Sequence, residues 1–106
     1  MNPNNLLASI PDAAAHEVVT SLVSRGGVRI ERIVSMGQAS PEGSWYDQAE
    51  HEFVLLMQGY AELDFADGRT VRLHPGDWLE IAPHVRHRVR STALDVPTVW
   101  LVAFYR

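Results

Sequence analysis

The sequence contains no cysteine. This absence excludes disulfides, thiolate metal sites and a cysteine nucleophile, and it fits a reducing compartment. Any metal ion would therefore need histidine, carboxylate, tyrosine or amide ligands.

Long apolar runs are also absent, so no segment is predicted to cross a bilayer. The first residues, MNPNNLLASIPDAAAHE, lack both a basic leader and a sustained apolar stretch of the kind that secretory signals carry. These features predict a cytoplasmic protein with no membrane partner.

Positive charge is scarce, because the net charge is −4 and the pI is about 5.6. A nucleic-acid-binding protein needs a basic face to neutralise phosphates, so this class is not expected. The local exception is HVRHRVR, which has three arginines in residues 84–90 and is predicted to be a strand with a solvated basic face.

The pattern that is present is alternation of apolar and polar residues between turn signals, and it predicts many short strands. VRIERIV, EFVLLM, YAELDFA, TVRL, DWLEIA and HRVRS are such segments, and Asp67-Gly68 is a strong hairpin signal. With 106 residues, the chain is predicted to be one all-β domain, residues 1–106, of eight or nine strands in a sandwich or closed roll.

The two ends of the chain are less regular. Residues 1–16 are predicted to form an N-terminal arm with a short helix or a turn, and a strand is expected near Glu17, joined to VRIERIV through Arg25-Gly26-Gly27. The last segment, TVWLVAFY, is apolar on both faces, so it is either central in a sandwich or half of a subunit interface. We favour the interface, and therefore predict a homodimer.

Strand alternation selects two candidate site residues. Glu52 shares a face with Val54 and Leu56, whereas His51 lies on the other face. A buried carboxylate needs a proton, a cation or a metal. His87 shares a face with Val89, and it is the histidine best placed to meet Glu52.

The same alternation, followed back along the chain, places Tyr46, Gln48 and Glu50 on the side of Glu52. Glu31, Asp47 and Glu50 are nevertheless predicted to be solvated, since charged side chains are mostly exposed. Arg32 shares parity with Val28, Ile30 and Val34 and could point inward as an anion clamp, but a bulge at residues 31–32 would send it to solvent, which we favour.

Two segments resemble the sequence motifs of the cupin superfamily, which are small jelly-roll β-barrels. Glu52 and Gly59 match the end of the first cupin motif, which runs glycine, five residues, His-x-His, three or four residues, Glu, six residues, glycine. PGDWLEIAPHVRH resembles the second motif, with Gly76 at its start, Pro83 displaced by one place and His87 in the ligand position. The resemblance covers residues 43–91 and implies an all-β, cupin-type jelly-roll barrel of the RmlC-like kind.

The first motif departs from the family pattern, because Tyr46 and Gln48 occupy the places of its two histidines. The resemblance implies a divalent metal ion (Zn, Fe, Mn or Ni) held by Glu52, His87, Gln48 and Tyr46, with a small molecule bound in the barrel. One alternative is a metal-free sugar epimerase or isomerase in which Glu52, His87 and Tyr46 are catalytic. Another is a non-enzymatic, dimeric ligand-binding barrel.

Overall fold

Eight antiparallel strands make up the fold, and the structure contains no helix. The computed structural model describes all 106 residues. The strands are β1 (Val18–Arg25), β2 (Val28–Ser35), β3 (His51–Gln58), β4 (Ala61–Phe65), β5 (Thr70–Leu73), β6 (Trp78–Ile81), β7 (His87–Thr92) and β8 (Thr98–Tyr105). The all-β prediction is confirmed. No helix is present that is long and apolar enough to cross a membrane.

The strands form two sheets that pack face to face. The larger has the order β1-β2-β8-β3-β6 and the smaller β5-β4-β7. Their inner faces share one apolar core, because Leu56 and Val102 of the larger sheet cluster with Leu63 and Phe65 of the smaller one. Alternation along β3 and β4 produces this arrangement, since every second residue faces the partner sheet.

Turn chemistry matches the predicted hairpins. Asp67 and Gly68 connect β4 to β5, with Gly68 at a φ of 99°, and the amide of Phe65 donates to the carbonyl of Arg69. The β1–β2 turn uses Gly26 and Gly27, both at positive φ, which glycine adopts without steric cost.

Residues 1–16 contain turns and bends but no helix, so the expectation of a turn is met and that of a short helix is wrong. This arm crosses the outer face of the larger sheet, where Ala13 is buried against Val34 and Val99. Asp12 does not start a helix; its Oδ1 accepts a hydrogen bond from the amide of Ala14, which closes a local turn instead.

Arg32 lies on this outer face, and both predictions for it are wrong. Its Nη1 donates to the carbonyls of Leu6 at 3.2 Å and Ala8 at 3.1 Å, so it anchors the arm. The register of β2 with β8 is continuous, without a bulge. Val34 has the same parity as Arg32 and packs under the arm, so this parity marks the outer face of β2 and not the barrel interior.

Strand β8 is central in the larger sheet, with β2 on one edge and β3 on the other. Trp100 and Val102 face the core, while Val99 packs on the opposite face under the arm. The prediction of an interface rests on the premise that the chain itself offers this strand only one protein face. That premise is wrong at the Val99 end, where residues 1–16 of the same chain cover the strand. Homodimerisation stays a prediction.

Candidate functional site

The space between the two sheets is a cavity of about 250 Å³, open to solvent at one side. Ten of its fifteen lining residues are apolar or aromatic, and the other five are Glu17, Glu31, Gln48, Glu52 and His87. The apolar core therefore fills only part of the barrel interior, and the polar side chains that face inward line this cavity.

Glu52 and His87 meet in this cavity from opposite sheets. Glu52 is on β3, one pleat from the buried Val54, and His87 opens β7, where it is only 3% exposed. His87 Nε2 lies 3.1 Å from Glu52 Oε1. The alternation that predicted both residues to point inward also brings them within hydrogen-bond distance.

Both ring nitrogens of His87 face oxygen atoms. Nδ1 lies 2.8 Å from the carbonyl oxygen of Val85, and Nε2 faces Glu52. A neutral imidazole has a single N–H, so only the imidazolium can donate to both. Burial lowers the pKa of His87, but the hydrogen bond and charge of Glu52 and the Val85 carbonyl outweigh it, and the pKa is raised above its usual value.

Gln48 and Tyr46 complete the group. Gln48 Nε2 donates to Glu52 Oε1 at 3.1 Å. Tyr46 pairs with His87 through two backbone hydrogen bonds, and its ring centroid lies 5.6 Å from the imidazole. Burial, then the negative charges of Glu17 and Glu52, raise the pKa of Tyr46 against the effect of Ser40. The phenol therefore keeps its proton and can donate it in a hydrogen bond.

His51 and the remaining charged residues of this region lie outside the cavity. His51 is on the outer face of β3, stacked on Tyr105 with centroids 5.4 Å apart. Asp47 bonds the exposed His84 at 2.7 Å, which ties the segment before β3 to the turn before β7. Glu50 pairs with Arg29 at 2.7 Å.

Two cavity carboxylates were missed by the sequence reasoning. Glu31 was predicted to be solvated, but it lines the cavity because it shares the inner face of β2 with Ile33. Glu17 precedes β1 and accepts a hydrogen bond from Ser35 Oγ at 2.5 Å, and Ser35 in turn accepts one from Trp100 Nε1 at 3.1 Å. The shared parity of Glu31 and Ile33 was the available signal; Glu17 had none.

Few side chains in the cavity could bind a metal ion. Glu52 and His87 offer one carboxylate and one imidazole, and no group of three or more histidine and carboxylate side chains is gathered closely enough to hold an ion. Structural and catalytic zinc sites use three or four protein ligands. Gln48 and Tyr46 add only an amide and a protonated phenol, so the residues do not fit a tightly held resident metal.

The chain resembles proteins of known structure and one family model. The model, described as a cupin domain, matches residues 33–104. A proposed mannose-6-phosphate isomerase from Ralstonia eutropha JMP134 is 42% identical, with a TM-score of 0.93 over 99% of this chain and 98% of that one. No curated protein matches the chain.

More distant structures share the fold. A cupin superfamily protein from Desulfitobacterium hafniense DCB-2 has 20% identity and a TM-score of 0.81, covering 99% of this chain and 92% of that one. An RmlC-like cupin protein from Desulfovibrio desulfuricans has 17% identity and a TM-score of 0.80, covering 99% and 96%. With a family model that spans most of its length and a relative at 42% identity, the chain belongs to the cupin domain family.

Proposed function

We propose that this cupin binds a small carbonyl compound in its cavity and isomerises it by moving a proton at the carbon beside the carbonyl. The contact of 3.1 Å between Glu52 and His87, inside a cavity that Tyr46 also lines, carries the proposal. The 42% identity to a proposed isomerase supports the same class of reaction.

Glu52 is the base in this scheme. Its carboxylate takes a proton from the carbon next to the carbonyl, and the electron pair of that C–H bond forms the double bond of an enediol. Tyr46 gives its phenolic proton to the carbonyl oxygen as the enediol forms. The carboxylic acid of Glu52 then returns the first proton to the former carbonyl carbon, and the Tyr46 phenolate takes back a proton from the hydroxyl that becomes the new carbonyl, so that carbonyl and hydroxyl exchange places and nothing is consumed. His87 and Gln48 both contact Oε1, which leaves Oε2 for the substrate.

Tyr46 supplies the acid. Tyr46 is about half exposed, and its phenol is protonated at neutral pH, since the ordinary pKa of tyrosine is about 10 and partial burial with the charges of Glu17 and Glu52 raises this pKa further. The phenol can therefore hydrogen-bond to the substrate's carbonyl oxygen. His87 does not need to release a proton: as an imidazolium held by the Val85 carbonyl, it fixes and balances the carboxylate.

Deuterium exchange tests the reaction. The purified chain is incubated in D₂O with mannose, glucose and glucosamine, and NMR follows deuterium at the carbon next to the carbonyl together with ketose formation. We expect Glu52→Gln and Tyr46→Phe each to slow exchange by roughly a hundredfold or more. The exposed Glu42→Gln is the matched control and should keep the parent rate. Exchange that survives Glu52→Gln, or no exchange with any of the three sugars, would contradict the proposal.

A divalent ion (Zn, Fe, Mn or Ni) is the second candidate occupant, since the Val85 carbonyl orients His87 Nε2 toward Glu52 in the manner of a ligating histidine. The short donor set argues for weak binding. Elemental analysis of protein purified without added metal, followed by calorimetric titration, decides between the two. Stoichiometric metal that is lost in Glu52→Ala and His87→Ala would favour the metal.

We also propose that the outer face of the larger sheet pairs with a second copy of the chain. Trp78 is 62% exposed there and stacks on Phe53 at 5.3 Å, and the apolar strand β8 runs through the same face. Light scattering should give a dimer that Trp78→Glu weakens. If the parent chain is a monomer in solution, this proposal is wrong, and the proposal for the cavity is unaffected.

A further inference from the structure

The cavity wall carries an excess of negative charge. Three of its lining residues are carboxylates, Glu17, Glu31 and Glu52, and His87 is the one basic residue among the fifteen. The chain has nine arginines and no lysine, and none of the arginines is among the residues that line the cavity. Pairing with His87 balances Glu52, which leaves Glu17 and Glu31 to be accounted for.

Arg29 balances those two carboxylates only in part. It lies at the end of β2, where Nη2 is 2.7 Å from Glu50 and Nη1 is 3.5 Å from Glu31, so its closest partner is Glu50. Its guanidinium also stacks over Phe104 at 4.3 Å. Counting Arg29 with Glu50 and His87 with Glu52, two negative charges remain on the wall. Glu17 and Glu31 each use one oxygen in a hydrogen bond within the chain.

The same wall also carries aromatic side chains. Tyr46, Trp100 and Phe104 line the cavity alongside the carboxylates. Aromatic faces attract ammonium groups, and the attraction is stronger where water is excluded. The features that bind phosphate are few, because the fold has no helix N-terminus and no arginine or lysine is among the lining residues. Arg29 contacts Glu31 and Phe104 from the end of β2, but its closest partner is Glu50.

We infer that the cavity selects a small organic ammonium compound over an anionic ligand. The inference rests on the proposed function for the location of the site, and it makes the substrate an amino-bearing carbonyl compound, such as an amino sugar. The Ralstonia protein is named for a phosphorylated sugar. A phosphate would meet Glu17 and Glu31 here, and the one cation near them, Arg29, already pairs with Glu50, so we expect this chain to disfavour a phosphorylated sugar.

Three probes of one shape and different charge test this preference: cyclohexylammonium, cyclohexanol and cyclohexanecarboxylate. Each is titrated into the full chain at low salt while NMR follows the indole N–H of Trp100. We expect the ammonium to bind at least about tenfold more tightly than the carboxylate, with the alcohol between them. Equal or tighter binding of the carboxylate, or no response to the ammonium, would overturn the inference.

Variants locate the source of the preference. Glu17→Gln combined with Glu31→Gln should bring the ammonium-to-carboxylate ratio close to one, whereas Glu42→Gln should leave it unchanged. If the combined variant fails to fold, Glu31→Gln alone tests the same point, because the Glu31 carboxylate contacts only Arg29, at 3.5 Å, and its loss should disturb the fold little. We expect this variant to lower the ammonium-to-carboxylate affinity ratio about threefold. A ratio that stays at its parent value in the folded variant overturns the inference.

The probes contain no carbonyl, so their binding is independent of proton transfer. A preserved ammonium preference with no deuterium exchange would reject the proposed reaction and keep the ligand class. Deuterium exchange into mannose and glucose, together with tight binding of the carboxylate probe, would support the proposed reaction and reject the preference for an ammonium compound.

Discussion

Replacing Glu52 by glutamine should reverse the pH dependence that His87 gives to folding. In the parent chain the pKa of His87 is raised when folded, because the Glu52 hydrogen bond and charge, with the Val85 carbonyl, outweigh burial. A raised folded pKa stabilises the protein fully below the unfolded value of about 6.5, and this contribution is lost as pH rises through the folded pKa. In Glu52→Gln burial dominates, the pKa falls below its usual value, and acidification becomes destabilising.

The size of the effect follows from the burial of the pair, whose side chains are 4% and 13% exposed. Removing one partner of such a pair leaves a charge with no counterion, and we expect a loss of about 3 kcal/mol at about pH 5.5. At about pH 8.5 the imidazole is neutral and its Nε2 can accept a hydrogen bond from the new amide, so the loss should be about 1 kcal/mol.

Urea unfolding at the two pH values measures this difference, with Glu42→Gln as the control for a lost surface charge. NMR titration of the His87 ring gives the direction of the pKa change directly. A loss of stability that is equal at both pH values would refute the reasoning, and so would a His87 pKa that does not fall in the variant.

Two further predictions concern the scaffold. Gly59→Ala should lower the free energy of unfolding in urea by about 4 kcal/mol, because φ is +91° and the new Cβ would lie 2.7 Å from Thr98 Cα. Gly68→Ala is the control, since φ is +99° there but a Cβ would meet open space, and it should cost only about 1 kcal/mol. Equal losses in the two variants would argue against the clash with Thr98. Arg32→Met should release residues 1–16, seen as faster amide exchange and proteolysis there while β3 stays protected; an arm that remains protected would show that Arg32 does not anchor it.

The part of the site that could be predicted depends on local alternation. Glu52 and His87 each stand two residues from an apolar neighbour that faces the core, so one pleat decides their direction. Gly59 was identified from the resemblance alone, and its reason is a close approach to Thr98 from a strand 39 residues away. No local pattern contains that contact.

Strand β2 shows where alternation fails. It carries apolar residues on both faces, because Ile33 packs against the core and Val34 packs under the N-terminal arm. Parity then cannot tell which set is inside, and Arg32 and Glu31 were both assigned to the wrong environment. The path of the arm would have resolved the choice, but that path depends on tertiary contacts that residues 1–16 do not encode in a periodic pattern.

Tyr46 and Gln48, which stand where the family motif has its two histidines, bear directly on the proposed proton transfer. Tyr46 and Gln48 both line the cavity, so these two positions face the interior and carry other groups than the histidines of the family pattern. Gln48 donates a hydrogen bond to Glu52 Oε1, where a histidine of the family pattern would have offered a lone pair to a metal. A phenol held protonated stands beside it. A carboxylate beside a protonated phenol suits the proposed proton transfer, which needs no third or fourth metal ligand.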